Sequence, residues 1–223
     1  MRAGSLLVVF CLAVQFASGN TISYTGTLTS PDDASTAITV TLANAGSLSL
    51  QTWGFGGGTN AAAAVIPAGG FDSFLGVFAG TGDTATFIDG TSDVLSNYDG
   101  FKGCPPAGTV NIGGPVCGDV KMSFNLAAGE YTVLLTTGSY IPNAVFGGGT
   151  LGDGFTDLTG GAFQTCVGEN CKEDTANWAL DITTSDSGAP VPEPGGVWIC
   201  GIGLMVSMAA ARRRRPTRIK ATD

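Results

Sequence analysis

The sequence predicts an all-β fold: an antiparallel β-sandwich of jelly-roll-like kind, flanked by an N-terminal signal peptide and a C-terminal membrane-spanning helix. Three observations carry this prediction. Short alternating or β-branched runs recur between Gly, Asp, Asn and Pro, no central stretch carries a helical apolar face, and no strand-helix-strand alternation occurs. The 35 glycines in 223 residues fall largely between the runs, where tight connections need them. A hydrophobic content of 43% against 13% charged residues supplies a core and excludes a disordered chain.

Residues 1–19 come first. Arg2 opens a basic region, Leu6 to Phe16 is an almost unbroken apolar run, and Ala17 and Gly19 place small residues at the −3 and −1 positions of a cleavage site. This is the pattern of a secretory signal peptide, with cleavage expected after Gly19. The apolar run is short for a permanent anchor.

The exported body follows, residues 20–189. Its expected strands are 21–29, 36–42, 47–53, 74–78, 84–88, 119–126, 130–137 and 176–182. Alternation with period two is clearest at Ile38, Val40 and Leu42 and at Val120, Met122, Phe124 and Leu126. Ala127-Ala128-Gly129 reads as a tight hairpin connection, with Gly129 available for a positive φ, so 119–126 and 130–137 are expected to pair.

The tail is residues 190–216, with 217–223 left as a cytoplasmic end. Gly195 to Ala211 is uncharged and mostly apolar. As a helix it would reach roughly 25 Å, the short end of what spans a bilayer. Arg212, Arg213, Arg214 and Arg215 follow at once and would stay cytoplasmic, which places the body on the far side of the inner membrane. Pro192, Glu193 and Pro194 stand just before the span. The prolines lack backbone donors and hold that segment extended.

In order and position, Val191 to Arg215 resembles the PEP-CTERM sorting signal of Gram-negative bacteria. The resemblance implies recognition by an exosortase, removal of the helix, and transfer of the body to the cell surface or medium, often in bacteria that make exopolysaccharide. A second resemblance rests on Phe71-Asp72-Ser73-Phe74-Leu75-Gly76-Val77-Phe78, on Cys117-Gly118-Asp119 and on Leu126-Ala127-Ala128-Gly129-Glu130-Tyr131-Thr132-Val133. Over about residues 53–180 the body is similar to a family of domains found on PEP-CTERM proteins, itself like the β-sandwich of bacterial pre-peptidase C-terminal domains. Ser73 departs from the Pro common at that place. This resemblance implies a fold and no activity.

Cys104, Cys117, Cys166 and Cys171 are an even set in an exported chain, which implies disulfides with three connectivities open. Nearest-neighbour pairing is favoured because each bridge then closes one polar or Gly/Pro-rich loop, worth about 3 kcal/mol for Cys104–Cys117 and about 2 for Cys166–Cys171. Zinc is disfavoured, because the first pair is too widely spaced and there is no His.

Charge divides sharply along the chain. Residues 20–189 carry three lysines against 13 Asp and 3 Glu, a net of −13, while the ends are basic. The body therefore has no basic surface with which to displace phosphate counterions, and nucleic acid is excluded as a partner. The absence of His removes the commonest general base and the usual nucleophile pairs, so an enzyme is not expected. A hydrolase is a remote alternative, since no carboxylate pair stands out.

Two readings of the abundant Asp remain. They build turns and keep the surface soluble, or some of them hold calcium, most plausibly Asp89, Asp93 and Asp99. No EF-hand or β-roll signature supports the second. Among aromatics that could stack on sugar rings, strand positions place Trp53 and Trp178 in the core and Tyr98 and Tyr140 on loops. The expected function is thus a non-enzymatic surface or matrix protein with a structural or binding role linked to exopolysaccharide. A carbohydrate- or calcium-dependent adhesion module is the alternative, and ice binding a remote one, since Thr39 and Thr41 make too short an array.

Overall fold

The computed structural model describes residues 19–92, 105 and 108–186. The first strands are β1 (Asn20–Thr27), β2 (Ala37–Leu42), β3 (Gly46–Thr52), β4 (Gly58–Thr59), β5 (Val65–Ile66), β6 (Ser73–Ala79), β7 (Thr86–Thr91) and β8 (Thr109–Asn111). They are followed by β9 (Pro115–Cys117), β10 (Lys121–Leu126), β11 (Gly129–Thr137), β12 (Tyr140–Pro142), β13 (Phe155–Asp157), β14 (Gln164–Val167), β15 (Asn170–Glu173) and β16 (Asn177–Asp186). Three short 3-10 turns complete the described elements, at Gly82–Thr84, Asn143–Phe146 and Leu151–Asp153.

Two four-stranded antiparallel sheets form the body, one in the order β1-β16-β3-β10 and the other β2-β11-β6-β7. These eight strands are the eight runs expected from the sequence. The sheets pack face to face: Leu48 and Leu50 of β3, Met122 of β10 and Leu180 and Ile182 of β16 meet Val40 and Leu42 of β2, Leu75 and Val77 of β6 and Val133 and Leu135 of β11. Alternation drives this, since every second residue of a strand points to the same face. The outer face of the first sheet is correspondingly polar, with Thr21 bonded to Thr183 and Ser49 to Ser123, each at 2.8 Å.

β6 and β11 do not alternate, because both of their faces are covered. Phe74, Phe78 and Leu134 point away from the central core into a second cluster with Ala85, which precedes β7, and with Ile141 and Ala144 from the segment between β11 and β13. Phe74 and Phe78 are fully buried, and each contributes about 1.5–3 kcal/mol of transfer free energy there. A continuous apolar run is thus the signature of a doubly covered strand.

One expectation is corrected. β10 and β11 do not form a hairpin: β10 pairs with β3, and β11 pairs with β2 and β6 in the other sheet. The physical reason lies in their different patterns. β10 exposes Lys121, Ser123 and Asn125 and suits a sheet edge, whereas β11 is buried from Tyr131 to Thr137 and needs neighbours on both sides. Ala127 and Ala128 carry the chain across the sandwich, and the Tyr131 hydroxyl donates to the Ala127 carbonyl at 2.8 Å, pinning that corner. Gly129 keeps an ordinary negative φ, so the corner does not use its freedom.

Four two-stranded ribbons complete the described sheet structure: β4-β5, β8-β9, β12-β13 and β14-β15. Among the described residues no helix is long and apolar enough to cross a membrane. The signal segment up to Ser18 and the whole sorting tail, including Pro192, Glu193, Pro194 and Arg212 to Arg215, lie outside the described residues.

Candidate functional site

A cavity of about 220 Å³ opens where four separate stretches converge. Phe71 and Asp72 enter it from the chain leading into β6, Thr137 to Ser139 from the end of β11 and the turn that follows, Leu158 and Thr159 from beyond β13, and Ala162 to Cys166 from the approach to β14 and its first three residues. Gly138 is required at its floor. A Cβ there would lie 2.6 Å from Asp72 Oδ2, and the Gly138 N–H donates to the Asp72 carbonyl at 2.8 Å. Asp72 is 8% exposed and is the one charged side chain among the described lining residues.

The hydroxyls of the wall are held from behind. Thr159 is 6% exposed, and its backbone N–H and its hydroxyl both donate to Asp157 Oδ1, at 2.8 and 2.7 Å. Those two bonds, the side-chain one first, draw the Asp157 carboxyl below its ordinary range. Thr165, equally buried, donates to Asp174 Oδ2 at 2.6 Å. Thr137 donates to the Pro31 carbonyl at 2.8 Å. Each hydroxyl has one proton, so these three have only lone pairs left to offer a ligand.

The β14-β15 ribbon forms one side. Cys166 and Cys171 stand opposite each other in its register and are joined by a disulfide, as their spacing predicts. The second expected bridge falls on Cys104, outside the described residues, while Cys117 is disulfide-bonded. The base of the ribbon is tied by the Asp174 N–H to the Phe163 carbonyl at 3.0 Å, by the Lys172–Asp174 ion pair, and by Lys172 Nζ lying 5.2 Å from the Phe55 ring centre. Phe163 packs on Phe71 with ring centres 5.9 Å apart, and Leu158 is 59% exposed at the mouth. The cavity thus combines an apolar edge with an acceptor-rich wall.

Beside it, β12 pairs Tyr140 with Asp157 of β13, and the Tyr140 ring stacks on Phe155 at 4.7 Å. Burial raises the Tyr140 phenol above its ordinary value, and the negative charges of Asp32, Asp157 and Asp33 add to the effect. The field at this end of the sandwich is negative.

Two other buried carboxylates serve the scaffold. Asp119 is 1% exposed and accepts from Gly56 N at 2.7 Å, Phe55 N at 3.2 Å and Thr52 Oγ1 at 3.1 Å. Asp181 accepts from Trp53 Nε1 and Ala61 N, both at 2.8 Å, and from Ser23 Oγ at 2.5 Å. Together they fasten the chain between β3 and β5 to the first sheet.

Of the aspartates considered for calcium, Asp93 and Asp99 lie outside the described residues. Asp89 is half-buried on β7, with its Oδ1 accepting the Gly90 N–H at 2.8 Å. Among the described residues no group of three His, Cys, Asp or Glu is arranged to hold a metal. Trp178 packs against the core as expected, whereas Trp53 is half-buried and turned toward Asp181. Tyr140, expected on a loop, belongs to β12, and Tyr98 lies outside the described residues. Thr137, Thr159, Phe163 and Thr165 were not distinguished by sequence: the Thr137 partner is 106 positions away, and the Asp157–Thr159 pair, though only two positions apart, reads as an ordinary turn. No family model, no curated protein and no solved structure matches the chain.

Proposed function

We propose that this is an exported, non-enzymatic surface or matrix protein whose sandwich body engages exopolysaccharide outside the cell, after delivery by an exosortase that reads Pro192, Glu193 and Pro194. The observation that carries the binding role is the cavity beside the β14-β15 ribbon, where the aromatic ring of Phe163 meets a cluster of buried hydroxyls. Saccharides offer the matching surface, apolar ring faces bordered by hydroxyl donors.

Export is supported by the Cys166–Cys171 bridge, a bond that persists in oxidising compartments. A non-catalytic role is supported by the lack of His in the sequence and by the single carboxylate among the described residues of the cavity wall, because glycoside hydrolysis uses a pair. The repeated change of sheet, after β1, β2, β3, β7, β10 and β11, favours the jelly-roll-like reading of the sandwich.

Two measurements test the proposal. Intact-mass analysis of protein recovered from the envelope or medium is expected to show Asn20 at the N-terminus and loss of the chain beyond the Pro-Glu-Pro motif; retention of Arg212 to Arg215 would overturn the sorting claim. Affinity electrophoresis through gels containing the host's own exopolysaccharide is expected to retard the protein. Unchanged mobility would overturn the binding claim.

A further inference from the structure

We propose that the cavity takes a saccharide carrying a free, protonated amine, an amino sugar residue rather than a neutral or acidic one. This deepens the reading given above and rests on it. The argument is a count of donors and acceptors in the wall.

Four hydroxyls line the cavity: Thr137, Ser139, Thr159 and Thr165. Three have spent their only proton on Pro31, Asp157 and Asp174. A hydroxyl that donates to a carboxylate becomes a stronger acceptor, because hydrogen bonds in a chain polarise one another. Thr159 also accepts the Gly161 N–H at 3.1 Å, which fixes how its oxygen is oriented. Among the described lining residues the side-chain donors that remain are Gln164, which is exposed at the rim, and Ser139.

Among the described residues no Lys or Arg lines the cavity. Lys172, the nearest cation in this ribbon, is engaged with Asp174 behind the wall and does not line it. Among the described residues an acidic sugar would therefore meet carboxylates at and behind the wall and no cation lining it, which is unfavourable. A neutral sugar hydroxyl brings lone pairs as well as a proton, and few donors are there to meet them. An ammonium group brings three donors, no acceptor and a positive charge. It matches what the wall supplies.

Size agrees. At about 220 Å³ the cavity is smaller than the roughly 300–1,000 Å³ of drug-sized sites, so it admits a single ring, with Phe163 and Leu158 offering apolar contact to the ring face. The surrounding body, at −13 between residues 20 and 189, attracts a polycationic chain over longer range.

The test is titration of the full-length purified protein, at slightly acidic pH, with glucosamine, N-acetylglucosamine, glucose and glucuronic acid, followed by calorimetry and amide chemical shifts. Glucosamine is expected to bind at least tenfold more tightly than N-acetylglucosamine or glucose, and glucuronic acid not at all. Gln164→Lys, a change at an exposed position that leaves the buried wall untouched, is expected to weaken glucosamine at least tenfold. Equal or tighter binding of N-acetylglucosamine or glucose would overturn the amine assignment while leaving the saccharide reading intact. Binding of none of the four would overturn both. Unaltered glucosamine affinity in Gln164→Lys would place the amine elsewhere and overturn the assignment to this cavity.

Discussion

Replacing Asp119 tests whether a buried carboxylate holds the loop between β3 and β4 against the sandwich. Asp119→Ala leaves two backbone N–H groups, of Phe55 and Gly56, and the Thr52 hydroxyl facing a gap. Each stranded buried donor costs about 1–3 kcal/mol. The Thr52 hydroxyl can turn, and part of the cost is returned because the charge itself no longer has to be desolvated, so the net loss is about 3 kcal/mol. For a body of this size that lowers the melting temperature by roughly 6–12 °C. Asp119→Asn keeps the shape and isolates the charge. Burial raises the Asp119 carboxyl above its ordinary 3.8, against the pull of hydrogen bonds from Gly56, Phe55, Thr52 and Gly54. The native state then holds the proton more tightly than the unfolded chain. Asp119 contributes its full stability below 3.8 and loses it as pH rises through the raised native value. Urea unfolding of both proteins as a function of pH is the assay. The wild-type advantage over Asp119→Asn should shrink as pH rises across that window. An advantage that grows instead would refute the reasoning, by showing that the hydrogen bonds outweigh burial.

Three further outcomes are expected. Asp33 behaves with the opposite sign: burial opposes its ionisation, but hydrogen bonds from Ser35 and Thr29 prevail and hold its carboxyl well below the usual range. The deficit of Asp33→Asn, seen by thermal melts, should therefore be present above pH 3.8 and vanish as pH falls toward the native value. Ala63, whose φ of 61° puts an L side chain in the left-handed region, should tolerate Gly, with Ala63→Gly stabilising the protein by about 0.5 kcal/mol in urea titrations. The double variant Cys166→Ser/Cys171→Ser should lose about 2 kcal/mol of ribbon stability, read as faster amide exchange in β14 and β15 with the sandwich strands unchanged.

The sandwich was legible where one strand carries one buried face. Ile38, Val40 and Leu42, and Met122 with its alternate neighbours, announce both the strand and the side that is buried. β6 and β11 were legible as strands, although their sheet neighbours were not, since a run such as Phe74 to Phe78 does not say what covers its second face. The Ala127 to Gly129 corner misled for the same reason. A short Gly-bearing link between two strands fits a hairpin and a sheet-crossing arch alike, and only the burial demands of β11 decide between them. Strands of two to four residues, β4, β5, β8, β9 and β12 to β15, hold too few positions for any period to emerge. The Cys166–Cys171 bridge was legible because nearest-neighbour pairing closes one short polar loop, although the ribbon that carries it was not. The cavity was not, because Asp72, Gly138, Thr159 and Phe163 come from separate stretches whose meeting depends on the completed fold.

The central claim, that this cavity is where the exported body meets saccharide, is tested most directly by amide chemical-shift mapping of the full chain against fragments of the host's exopolysaccharide. Shifts concentrated at Ser139, Leu158, Thr159 and Phe163 to Cys166 are the predicted result. Shifts confined to the polar outer face of the β1-β16-β3-β10 sheet, or no shifts at all, would contradict it.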